Sequence, residues 1–195
     1  LDAVRILMDG DLEGQAQTRT ASEDFGDDFV AARDNYLTVC SMNLAFRREV
    51  IPAFYQLPMD DNEWDVGRFD DIWSGVFLKR ACDVLGKRIY NGAPLCEHNK
   101  APRSTFDDLN NEVPGLELNE HLWRVIDDVG ADADSYAAVF EAMAHELADG
   151  DWSDYNNGAF FNYVGEYMLE WLECLSTLRS EADLEADRAH VAADD

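Results

Sequence analysis

Val66-Gly-Arg-Phe-Asp-Asp-Ile-Trp-Ser-Gly75 places two adjacent acids, Asp70 and Asp71, between a Gly-Arg turn and an apolar run. The run continues through Ile72, Val76, Phe77, Leu78, Ala81, Val84 and Leu85, mostly at helical spacing. Gly86 is its stop signal, with Lys79, Arg80, Lys87 and Arg88 near the carboxyl end, where cations suit the helix dipole. Both acids therefore sit at the positive end of a helix. That position favours the ionised form and suits acids that hold a cation or accept a proton. The plainer alternative is a helix cap and a first-turn acid.

Outward from this stretch, Tyr36-Leu-Thr-Val-Cys40 is β-branched and apolar and reads as a buried strand, followed by the small, polar Ser41-Met-Asn. Arg47 to Pro52 reads as a short helix or turn, and residues 56–66 as an acidic loop. Beyond Gly86, Lys87-Arg-Ile-Tyr90 predicts a strand, adjacent in one sheet to that at 36–40, Asn91-Gly-Ala-Pro94 a turn, and Leu95 to Lys100 a strand end bearing His98. Pro102 to Gly115, with two prolines, predicts a loop. Three apolar stripes then predict helices: Leu122 to Val129, Val139 to Leu147, and Phe160 to Leu178. Such aromatic-rich stripes serve as core or as an oligomer seam. The first eight residues predict a short strand or helix, residues 9–28 a loop, and the acidic stretch from Ser180 a frayed tail.

The 195 residues suffice for a sizeable core. Asp and Glu number 41 against 15 Lys and Arg, a formal net charge of -26. With 47% hydrophobic residues the chain is not of disordered composition. Acid spread through a folded, aromatic-rich chain matches adaptation to a multimolar-salt cytoplasm, as in an extreme halophile, where salt screens self-repulsion. No basic footprint for nucleic acid exists, and no apolar run reaches membrane-spanning length. Cys40, Cys82, Cys96 and Cys174 form no paired motif and read as buried thiols in a reducing, cytoplasmic setting.

Three pieces stand in order: Cys40-Ser-Met-Asn-Leu-Ala-Phe-Arg-Arg-Glu49, Arg68-Phe-Asp-Asp-Ile-Trp73, and Cys96-Glu-His-Asn-Lys100. The order resembles the second half of a GT-A glycosyltransferase. More narrowly, Met42-Asn-Leu-Ala-Phe46, Gly67-Arg-Phe-Asp-Asp-Ile-Trp73 and His98-Asn-Lys100 look like the reversibly glycosylated polypeptides and UDP-arabinopyranose mutases, over roughly residues 36–178. Ser41 stands where that family usually has glycine.

The resemblance implies an α/β chain. It would comprise an acidic N-terminal segment (1–35), the C-terminal part of a GT-A-like domain (36–116), a helical region (117–180) and an acidic tail (181–195). It implies a UDP-sugar-dependent transferase or mutase using a divalent cation, Mn or Mg. Asp70 and Asp71 would be catalytic, Asn43, Arg68, Trp73 and Lys100 would bind substrate, and His98 would ligate the metal. The helical region would mediate homo- or hetero-oligomer formation. The family's donor-binding half, with its Asp-x-Asp motif, is expected to be missing. Asp9-Gly-Asp11 has that spacing but follows no evident apolar strand. The alternative is a non-catalytic binding or oligomerisation module of the same family.

Overall fold

The computed structural model describes residues 3–9, 28–39, 44–59, 62–96 and 104–193. It is a mixed α/β chain. Strands β1 (Ala3–Asp9), β2 (Phe29–Val30), β3 (Leu44–Ala45) and β4 (Arg88–Cys96) form one sheet in the order β2-β4-β1-β3. The two central strands, β1 and β4, are parallel, and the short edge strands run antiparallel to them. A 3-10 turn at Arg48–Ala53 leads toward helix α1 (Asp70–Val84), followed after β4 by α2 (Thr105–Ile126), α3 (Tyr136–Asp149) and α4 (Ala159–Ala193).

Helix α1 lies at the centre. Trp73 to Lys79 and Ala81 to Asp83 are buried, which takes in every side of the helix. Its apolar residues join the core, and its buried charges, Lys79 and Asp83, pair with each other. It packs on β4 and on the other helices, with Phe140 and Met143 of α3 and Phe160 and Phe161 of α4 in the same core. Its end follows the expected stop. Gly86 takes φ +67, and the amides of Gly86 and Lys87 donate to the carbonyls of Asp83 (3.2 Å) and Cys82 (2.7 Å).

Several expectations are corrected. Residues 36–39 do not pair in the sheet. Val39 is buried, but this segment crosses α1 at Gly75, and its backbone polar groups form no ladder. The strands flanking β4 are therefore β1 and β2, not 36–40; Cys40 lies outside the described residues. The turn expected at Asn91–Pro94 is absent, because β4 runs through it. The sequence signal instead marks an irregularity, since Leu7 pairs with Gly92 but Asp9 with Cys96. A Gly and a Pro in a strand commonly mark such a bulge.

The loop expected over 102–115 is helix α2 from Thr105 onward, with Pro114 inside it. Ser104 caps α2 by accepting from the Asp107 amide at 3.3 Å, and Gly115 fits against Phe69 of the α1 entry. Capping and packing together outweigh the missing proline N–H. The backbone of α4 is helical to Ala193, across the stretch expected as a frayed tail; its Ala, Leu, Glu and Arg residues are strong helix formers. Cys174 is exposed rather than buried, whereas burial pushes the Cys82 thiol up to about 11.

Candidate active site

The entry to α1 is built by a side chain that the apolar pattern does not reveal. Asn62 donates to the carbonyls of Met59 (3.2 Å) and Val66 (2.7 Å) and accepts from the amides of Trp64 and Val66 (3.2 Å each). It holds the loop closed while Asp65 and Arg68 take left-handed backbone at φ +53 and +64. The signal for it was an asparagine in a polar loop, where its side chain mimics backbone partners. The helix cap is Phe69, without a side-chain cap bond, so Asp70 and Asp71 both stand in the first turn.

Both acids are half-buried. Burial, followed by the neighbouring negative charge of Asp70, raises the Asp71 pKa; backbone amides at Ile72 and Asp71 oppose this less strongly. The expectation that the helix start favours the ionised form is thus reversed at Asp71. Desolvation and a like charge outweigh the dipole there. Such an acid is suited to holding and releasing a proton.

Of the flanking residues, Trp73 departs from expectation, and Arg68 carries an ion pair. Trp73, expected to stack on a sugar, is 0% exposed. Its ring lies among Phe69, Phe160 and Phe161, and its Nε1 donates to Asn119 Oδ1 at 3.2 Å. It offers no free face because it is the core anchor of α1. Arg68, expected to meet phosphate, pairs through Nε with Glu112 of α2 at 3.3 Å. Ser74 Oγ lies within reach of the carbonyls of Tyr55 and Asp70 and shares its one proton between them, tying the helix start to the segment just after the 3-10 turn. Asn43, His98 and Lys100 lie outside the described residues, so their distances to the acids do as well. Asp9-Gly-Asp11 does follow a strand, since β1 ends at Asp9; Gly10 and Asp11 lie outside the described residues.

Among the described residues no group of three or more His, Cys, Asp or Glu is placed to hold a metal ion.

A second polar cluster lies at the opposite end of α1, about 20 Å along the helix at 1.5 Å per residue. Asp34, Asn35, Tyr36, Arg80, Asp83 and Asp127 line a small cavity there. Buried Lys79 pairs with Asp83 Oδ2, which also accepts from the Asp34 amide at 3.1 Å; Asp83 Oδ1 is buried without a partner. Tyr36 donates to Asp127 at 3.0 Å, and burial raises its pKa. Arg80 donates to the Val129 carbonyl at 3.1 and 2.8 Å. The Arg80 bonds tie α1 to the α2–α3 connection. Of the four cations read as dipole partners, Lys79 and Arg80 also fasten the helix, one to Asp83 and one to Val129.

The fold and this site describe a mixed α/β chain with an acidic pair opening its central helix. Residues 15–180 match the family model described as reversibly glycosylated polypeptide. UDP-arabinopyranose mutase 1 of Arabidopsis thaliana is 41% identical over 147 residues, covering 72% of this chain and 39% of that protein. Probable UDP-arabinopyranose mutase 2 of Solanum tuberosum is 41% identical over 147 residues, covering 72% and 38%. UDP-arabinopyranose mutase 3 of Arabidopsis thaliana is 30% identical over 156 residues, covering 76% and 41%. The chain belongs to the reversibly glycosylated polypeptide family. It spans about two fifths of the length of these relatives.

Proposed function

We propose that this chain is the C-terminal portion of a GT-A-like, UDP-sugar-dependent mutase or glycosyltransferase. The observation that carries the reading is the family match over 15–180 together with 41% identity to UDP-arabinopyranose mutase 1. The geometry at the α1 start is consistent with it. Asp71, half-buried beside a second acid, is suited to exchange a proton with a sugar or acceptor hydroxyl. Asn43 and Lys100 are proposed substrate contacts. A divalent cation, Mn or Mg, would neutralise charge on the leaving diphosphate, with His98 as its candidate ligand and further ligands from the donor-binding half. The proposed setting is the salt-rich cytoplasm of an extreme halophile, in keeping with the net charge of -26.

One observation favours a second reading. Trp73 and Arg68 are committed to the core and to Glu112, so the acidic stretch also serves to lock α1 against α2. On that reading the segment is a non-catalytic module and the acids are helix-start residues. The test uses a full-length protein carrying this segment, assayed for ring interconversion of UDP-arabinopyranose. Asp71→Asn and His98→Ala should each lower turnover about a hundredfold or more, the scale of acid–base and metal-ligand losses. Unchanged turnover in both would select the second reading.

A further inference from the structure

The small cavity beside the carboxyl-terminal half of α1 holds a group that the rest of the fold leaves unanswered. Asp83 lines it and is 6% exposed, yet only one of its oxygens is engaged. Oδ2 binds Lys79 and accepts from the Asp34 amide at 3.1 Å, while Oδ1 is buried with no partner. An anionic oxygen in that position is costly unless a donor or a cation meets it. The cations nearby are placed elsewhere. Lys79 is on Oδ2, Arg80 gives Nε and Nη2 to the Val129 carbonyl, and Arg33 sits on the exposed Asp34 at 3.8 Å. The lining therefore carries three carboxylates, Asp34, Asp83 and Asp127, against the single guanidinium of Arg80.

We propose that this cavity binds one alkali-metal cation, potassium or sodium, with Asp83 Oδ1 as its anionic ligand. The space is about 10 Å³, room for one water-sized body, which excludes an organic ligand. The acids exclude an anion. A divalent ion calls for several carboxylates at once, and no group of three or more acids is placed to hold one among the described residues. An alkali cation needs less, because neutral oxygens replace its hydration shell. Asn35 and Tyr36 add such oxygens to the lining. Asp34, Asn35 and Asp127 are exposed, which gives the ion a route from solvent. Three segments meet at the cavity: residues 34–36, α1, and the α2–α3 connection. A cation bound there joins them in the folded chain alone. It therefore stabilises the fold by mass action, over and above the screening of surface charge. The site is independent of the sugar chemistry.

The experiment compares cations at equal ionic strength. The chain is melted by circular dichroism in about 1 M potassium, sodium or tetramethylammonium chloride. All three salts screen charge alike, but tetramethylammonium is too large for a space of one water. The expected result is a melting temperature higher by about 2–4 °C or more in potassium or sodium. Thallium(I) nitrate, a potassium-sized probe, should give a bound thallium resonance that potassium nitrate displaces and tetramethylammonium nitrate does not. Asp83→Asn should abolish both effects. Asp127→Asn, at an exposed position that leaves the Lys79–Asp83 pair intact, should weaken thallium binding about tenfold or more, the scale of losing one nearby charge. Equal melting in the three salts, or no displaceable thallium, would overturn the proposal and leave a single water in the cavity. Thallium binding that both variants retain would also overturn it, by placing the ion elsewhere on the acidic surface.

Discussion

At Asp71 two physical effects oppose each other, and the raised pKa says which prevails. Burial and the charge of Asp70 favour the protonated acid, against the backbone amides and the helix dipole. Between the ordinary aspartate value of 3.8 and the raised folded value, the folded chain holds more protons than the unfolded one. Stability therefore falls as pH rises through that window. Asp71→Asn, which stays neutral, should match the parent below the window. Above it the variant should melt at a higher temperature, by a difference that grows and then levels off. A melting series against pH that shows no such divergence would mean that Asp71 is well solvated. The Lys79–Asp83 pair is a stability feature of a different kind. Lys79→Met should cost about 3–5 kcal/mol in denaturant melts, because Asp83 is left buried and unpaired. Replacing both residues with methionine should recover much of that loss, offset by the Asp34 amide that Asp83 also satisfies. The i,i+4 spacing of this pair was visible in the sequence, but its burial was not, since a helix enclosed on every side has no solvent face to betray it.

At the scale of elements, α1, α3 and the first half of α4 were legible because apolar spacing and flanking glycines agreed with tertiary packing. The strand around Ile89 was legible for the same reason, although its full length was not. The N-terminal half of α2 was misread because the two prolines, Pro102 and Pro114, were weighed as breakers. Ser104 and Asp107 already carried the cap signal, and Gly115 is needed for contact rather than for a turn: a Cβ there would lie 2.3 Å from the Phe69 ring. Gly75 gives the sharper case. A Cβ there would lie 2.4 Å from the Val39 amide nitrogen and 2.8 Å from Thr38 backbone atoms, which cannot rotate away. Gly75→Ala should therefore destabilise by about 1–3 kcal/mol, the usual overpacking range, or more. Gly86→Ala meets no neighbour and should cost about 1–2 kcal/mol from its left-handed backbone alone. If Gly75→Ala proved as stable as the parent in urea melts, the crossing of residues 38–39 over α1 would be wrong.

At the scale of the whole molecule, charge and family membership act on different properties. The surplus of acid bears on conditions. The chain should melt at a clearly higher temperature in molar than in millimolar potassium chloride, because screening relieves repulsion among its carboxylates. Equal melting temperatures would remove the salt argument. Family membership bears on chemistry, and it was legible in short motifs, Met42 to Phe46 and Gly67 to Trp73, rather than in composition. Those motifs did not distinguish residues proposed to meet substrate from residues that hold the fold. Trp73 matched as well as Asp71 did, yet it is wholly buried, and only packing could reveal the difference. The central claim is that the acidic pair opening α1 acts on a UDP-sugar. Its most direct test is turnover of UDP-arabinopyranose by a full-length protein carrying this segment, compared with its Asp71→Asn variant at equal folded concentration. The account predicts turnover lower by about a hundredfold or more in a variant at least as stable as the parent; equal turnover in the two proteins would contradict it.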